Sequence, residues 1–190
     1  MIRVQREDFD PGQELARLTV GRTDIGGVVT FCGLVREEIG SGAALAGGRL
    51  AGEQIRAMTL EHYPGMTEKM LAAIEAEAQA RWPLSASLIV HRYGRLLPGD
   101  RIVLVITCSA HRQAAFEANM FLVDWLKTKA PFWKLEERGA GAAWVEARAS
   151  DDAAAKRWAR STPNIGAGAG GGDAKAVRSK ARKPAPKAAE

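Results

Sequence analysis

Residues 88–107 read LIVHRYGRLLPGDRIVLVIT. Leu88–Arg92 and Ile102–Thr107 are runs of β-branched and large apolar residues. Between them, Leu97-Pro98-Gly99-Asp100 supplies a fixed φ, a residue free to take positive φ and a side chain that closes on its own backbone. The stretch predicts an antiparallel hairpin. Upstream, Gly26–Val35 (GGVVTFCGLV) and Ala57–Tyr63 (AMTLEHY) are two further candidate strands. Downstream, Phe132–Glu136 and Trp144–Ala147 are two more.

Helical periods fall between these strands. Asp10-Pro11 has the form of an N-cap followed by proline at the first helical position, opening a helix to about Val20. From Pro64, the residues Met66, Met70, Ile74 and Ala78 recur every fourth position and predict one apolar face. Ser109 to about Lys127 is a third helix, with Ala115, Ala118, Leu122 and Trp125 on one side. Ser150 is placed to cap a last one through Trp158. Segregated strands and helices of this kind predict an α+β fold, a mostly antiparallel or mixed sheet covered by helices.

The chain has 190 residues, 46% hydrophobic and 26% charged, which suits one folded domain. The expected division is a domain over residues 1–160 and a tail over 161–190. Six basic residues against two acidic ones between Pro163 and Glu190 give the tail +4 of the net +5, leaving the body at +1. The tail is rich in Gly, Ala, Lys and Pro and lacks large apolar residues, so it is expected to be disordered. It also lacks interleaved aromatics, which argues against base stacking and hence against nucleic-acid binding. A second Gly/Ala-rich stretch, about 38–55, is expected to be a flexible loop. There is no apolar run of membrane-spanning length and no apolar leader, so a cytoplasmic protein with no membrane contact is expected. Cys32 and Cys108 lie far apart in apolar settings and are expected to be buried free thiols. His62, His91 and His111 share no metal-ligand spacing, and neither a metal nor a cofactor is expected.

The sequence lacks the Gly-rich phosphate loop of nucleotide hydrolases, the dinucleotide fingerprint and the Gly-x-Ser-x-Gly elbow. What it offers is cations at element ends. His111 and Arg112 fall in the first turn of the third helix, where open N–H groups and the helix dipole favour an anion. The solvated alternative weighs equally there. Lys127 and Lys129 end the same helix, a placement the dipole alone explains. Lys134 follows Pro131-Phe132-Trp133 and is expected to be held rigidly and partly removed from water, as lysines tuned for proton transfer are. Arg36 and Arg148 end the first long strand and the last one.

Several segments carry a resemblance: Thr59-Leu-Glu-His-Tyr-Pro-Gly-Met66, Ser109-Ala-His-Arg112, Phe116-Glu-Ala118, Leu126-Lys-Thr-Lys-Ala-Pro-Phe-Trp-Lys134 and Trp144-Val-Glu-Ala-Arg148. In this order and spacing, from about Ile2 to Trp158, the chain resembles the large subunit of molybdopterin synthase. The resemblance implies an α/β hammerhead fold and a homodimer within a heterotetramer. A small ubiquitin-like sulfur carrier with a C-terminal Gly-Gly thiocarboxylate would dock at each end. The implied reaction is sulfur transfer to cyclic pyranopterin monophosphate, building the dithiolene of molybdopterin. Lys127 and Lys134 match the family's essential lysines. Leu34, Val35, Arg36, His111, Arg112, Leu135, Glu136 and Arg148 match positions around the pterin and phosphate, some of them supplied by the second protomer. Leu34 and Leu135 stand where some relatives carry basic residues, and the 38–55 stretch is longer than the family's. The competing reading is a non-catalytic assembly subunit that binds a carrier protein or an anion.

Overall fold

The computed structural model describes residues 1–37, 54–139, 141–145 and Trp158. Among these residues, eight strands form two four-stranded sheets, accompanied by three helices. In chain order they are β1 (Ile2–Gln5), α1 (Pro11–Thr19), β2 (Gly27–Leu34), β3 (Ile55–His62), α2 (Met66–Arg81), β4 (Leu84–Arg92), β5 (Gly94–Leu96), β6 (Arg101–Ser109), α3 (Arg112–Thr128), β7 (Phe132–Arg138) and β8 (Gly141–Val145). Sheet A has the order β1-β4-β6-β2, and sheet B the order β5-β3-β7-β8.

The predicted hairpin forms, with an interruption. β4 and β6 pair antiparallel from Leu84↔Ser109 to His91↔Val103. Between them the chain leaves sheet A, and Gly94–Leu96 pairs with Met58–Leu60 of sheet B. Gly94 (φ 90°) and Gly99 (φ 89°) make the two sharp departures that this switch requires. One connection thereby couples the sheets. β1 was not predicted; four residues carry too short a pattern, and its parallel pairing with β4 is non-local.

Sheet A is covered on both faces. One face packs Ile89 and Val105 against Leu71, Ile74 and Ala78 of α2 and Ala118, Phe121 and Leu122 of α3. The other packs Leu88, Val90, Leu104, Ile106 and Cys108 under Phe9 and α1. A third cluster, Val35, Ile55, Met58, Leu60 and Leu96, belongs to sheet B. The helix starts follow their local chemistry. Asp10 accepts the Gln13 N–H at 2.9 Å with Pro11 at N1. Glu68 reaches back to the Gly65 N–H at 2.6 Å.

Two helical faces need correction. In α2 the buried stripe is Thr67, Leu71, Ile74 and Ala78. Met66 is exposed and Met70 half-buried. The positive φ of Gly65 turns the chain just before the helix, and Thr67 is drawn inward by its hydroxyl's bond to the Tyr63 carbonyl, 3.0 Å. In α3, Trp125 lies at the margin of the core while Phe121 is fully buried. β8 begins earlier than predicted, at Gly141. Cys108 is buried and Cys32 half-buried, both free, with burial pushing each thiol pKa up. The 38–55 stretch up to residue 53, the predicted helix from Ser150 apart from Trp158, and the tail lie outside the described residues. No helix among the described residues is long and apolar enough to cross a membrane.

Candidate active site

α3 starts where β6 ends and runs back across sheet A. Its course is set by buried polar contacts. The Asn119 amide donates to the carbonyls of Val29 and Val105, at 3.2 and 3.1 Å, and the Thr107 hydroxyl donates to the Ala115 carbonyl at 2.8 Å. Close to its start, the backbones of Gly26 and Gly27 approach Ala110 and Arg112 so nearly that a Cβ at Gly26 would overlap the Ala110 carbonyl oxygen.

His111 is the N-cap residue and Arg112 the first helical one. Both are exposed, and no side chain caps the first N–H groups of α3. Lys127 stands exposed in the last turn. Fifteen residues at about 1.5 Å each put Arg112 and Lys127 about 22 Å apart along one helix. Within one chain, His111 and Arg112 are therefore not brought to Lys127.

The other predicted residues gather at the Lys127 end. β2 runs antiparallel to β6, from Gly27↔Ser109 to Leu34↔Arg101, so Arg36 leaves the sheet at the end to which α3 returns. Val35 is buried, its N–H donating to the Asp100 carbonyl at 2.9 Å and its carbonyl accepting from Gly99 at 2.8 Å. It packs in the cluster with Met58 and Leu60. Those two are the register partners of Glu136 and Lys134 on β7. Opposed residues of an antiparallel pair share a face, so Val35 lies under the strand face that carries Lys134. Leu34 is exposed beside it, and Arg36 is exposed at the strand's exit.

The lysine-bearing corner is short. The Lys129 N–H closes α3 on the Trp125 carbonyl at 2.8 Å, and the Phe132 N–H then bonds the Ala130 carbonyl at 2.8 Å across Pro131. Alternation along β7 puts Phe132, Lys134, Glu136 and Arg138 on one face. Lys134 is 32% exposed, and its Nζ meets Glu136 Oε1 at 2.5 Å. Glu136 and Arg138 are buried and joined at 2.7 Å. Burial pushes the Glu136 carboxyl up, yet hydrogen bonds from Lys134 and Arg138 outweigh it and hold the pKa below its ordinary value. Leu135 is half-buried on the opposite face, opposite Thr59 and Trp144. Trp133 is more exposed than its neighbours predicted, because alternation turns it away from Phe132.

Lys127, Lys134, Leu34, Val35, Arg36, Leu135 and Glu136 thus belong to one end of the molecule, and His111 and Arg112 to the other. Arg148 lies outside the described residues. Sequence reasoning missed Arg138, whose charge is spent on Glu136; an Arg two residues beyond a Glu on a strand was the available signal. No group of three or more His, Cys, Asp or Glu with metal-binding geometry occurs among the described residues.

The family profile described as MoaE protein matches residues 4–129. The molybdopterin synthase catalytic subunit of Pseudomonas aeruginosa is 54% identical over 157 residues, covering 83% of this chain and 97% of that protein. Among solved structures, the molybdopterin biosynthesis MoaE protein of Burkholderia ambifaria superposes with a TM-score of 0.68 at 46% identity, over 85% of this chain and 99% of that one. A complex of subunits 1 and 2 of molybdopterin-converting factor from Helicobacter pylori shares the fold, with a TM-score of 0.61 at 17% identity over 77% of this chain and 91% of that one.

Proposed function

Because this chain belongs to the MoaE protein family, we propose that it acts as the catalytic subunit of a molybdopterin synthase, a sulfurtransferase of molybdenum cofactor biosynthesis. The observation that carries the site assignment is the corner from Lys127 to Arg138. Two lysines flank Pro131-Phe132-Trp133, and the second is held by a buried carboxylate that Arg138 already neutralises.

The reaction joins two anions, the phosphate of cyclic pyranopterin monophosphate and the Gly-Gly thiocarboxylate of a small ubiquitin-like carrier. A small partner subunit is supported by the Helicobacter structure of the same fold, a complex of subunits 1 and 2 of molybdopterin-converting factor. Arg36 and Arg112 offer the planar forks suited to phosphate, and Lys127 offers a mobile point charge. The carrier's sulfur attacks a pterin side-chain carbon as a C–O bond there breaks. Water then cleaves the resulting thioester, leaving sulfur on the pterin and freeing the carrier as a carboxylate; both steps develop negative charge on oxygen. Ammonium groups fixed beside that oxygen lower the barrier and can exchange the protons. Lys134, turned toward Glu136, is placed to pass a proton to the reacting centre while the Glu136–Arg138 pair keeps it in position. Exposed Leu34 provides an apolar wall for the pterin beside Arg36, buried Val35 supports it from beneath, and Leu135 packs on the other face of β7.

His111 and Arg112 enter this site from a second copy. β2 ends sheet A, and among the described residues no strand pairs with its outer edge. Exposed Val28 and, on α3, Phe116 and Met120 flank that edge. A two-fold axis that lays β2 antiparallel against its own copy places the Gly27 end of one protomer beside the Leu34 end of the other. The anion-binding start of α3 then faces the partner's lysines.

The test supplies a thiocarboxylated carrier and the pterin precursor to the purified chain and measures molybdopterin. Product that depends on both components is expected. A folded dimer that binds the carrier yet forms none would favour a non-catalytic assembly role.

A further inference from the structure

The first residue of β7 is clamped by a residue of the other sheet. The Phe132 ring lies flat on the His91 ring, with centroids 3.7 Å apart and planes 13° from parallel. His91 sits near the end of β4 in sheet A, and Phe132 opens β7 in sheet B. Among the described residues this is the one ring contact between those two strands. Phe132 also faces His62, its register partner on β3, at 6.0 Å, and His62 lies 4.5 Å from Tyr93. The His62 ring contacts are tilted, at 32° to Phe132 and 53° to Tyr93, and its Nδ1 is buried without a hydrogen-bond partner, so the stack on His91 is the flat contact of the cluster.

The His91 ring is suited to this use. It is buried, with Nδ1 2.9 Å from the Arg92 carbonyl, which assigns the ring proton to Nδ1. Burial lowers its pKa to about 4, so the ring is neutral in the range where enzymes work. A neutral ring can be buried against Phe132 without the cost of desolvating a cation.

Phe132 stands between the two lysines in sequence. Its backbone N–H is tied to Ala130, in the corner just after α3, and Lys134 follows two residues later on the same strand face. A displacement of Phe132 is therefore transmitted to Lys134 along a paired strand, while Lys127 stays with α3. Resting on the reading that these lysines serve the sulfur transfer, we propose that His91 and Phe132 are positioning residues whose stack sets where Lys134 stands relative to Lys127.

The test is a double-mutant cycle in the reconstituted synthase. His91→Leu and Phe132→Leu should each lower kcat about tenfold or more with KM for the precursor within about twofold, the pattern of misplaced rather than missing groups. The double variant should be no slower than the worse single one, because both break the same contact. His91→Phe restores a flat face and should keep about half of the wild-type kcat or more. Wild-type kcat in a folded leucine variant, or losses that multiply in the double, overturn the proposal. If a leucine variant fails to fold by thermal melting, His91→Phe decides: a folded protein with a tenfold loss overturns it equally. Lys134→Ala in the same assay separates the two levels. Full turnover there refutes the site assignment itself, whereas an inactive Lys134→Ala beside a fully active His91→Leu refutes only the positioning role.

Discussion

Lys127 and Lys134 differ in what surrounds them, and their substitutions should differ accordingly. Lys127 is exposed in the last turn of α3. Lys127→Ala should leave the melting temperature within about 1–2 °C of wild type, since surface changes alter stability little. It should lower kcat about 10²-fold or more, the scale of losing one charge-stabilising group in a site. Wild-type-like turnover would count against the mechanism. Arg138 is buried against Glu136, so Arg138→Met leaves a buried carboxylate with Lys134 alone. Unfolding in urea should show a loss of about 3 kcal/mol, as for a broken buried pair. Glu136 also makes stability depend on pH. Its pKa is held below the ordinary value by Lys134 and Arg138 against the opposing effect of burial. The stabilisation is complete above the unfolded carboxyl's pKa of about 4.3 and fades as pH falls through the lower folded value. Glu136→Gln should flatten that acid limb in urea midpoints measured from about pH 5 downward.

At the scale of an element, α3 depends on features outside itself. Gly26 admits the chain just before the helix because it has no Cβ to meet the Ala110 carbonyl. Gly26→Ala must push β2 and the start of α3 apart, and backbone cannot yield as a side-chain tip does. A loss of about 1–3 kcal/mol is expected, with weaker binding of the phosphate-bearing precursor because His111 and Arg112 move too. Calorimetry on the variant checks both. A Gly26→Ala protein that melts and binds like wild type would show that the approach is looser than described.

The whole molecule sets the strongest demand, since the cationic groups lie at both ends of α3. If the site is shared between protomers, a dimer pairing an Arg112→Ala copy with a Lys127→Ala copy contains one site with neither defect. Co-expression of the two inactive variants, assorting at random, should restore about a quarter of wild-type activity. No recovery from mixed dimers of confirmed composition would return both residues to one protomer's site.

The strands and helices were legible because local chemistry specifies them: Asp10-Pro11, the alternation in 88–107, and the Pro131 stop. The family was legible too, since a run such as LKTKAPFWK carries its identity in residue order. The depth of α2's stripe, the pairing of β1 and the escape of Gly94–Leu96 into sheet B were not, because each is settled by a partner far along the chain. Residue count along a predicted helix already separates Arg112 from Lys127 by about 22 Å, but it could not say that Val35 and Arg36 lie at the Lys127 end. Spacing along a chain records which residues exist and which face of an element they share. Only the folding of α3 back across sheet A decides which groups each end of the helix meets, because strand pairing and core packing join residues far apart in the chain.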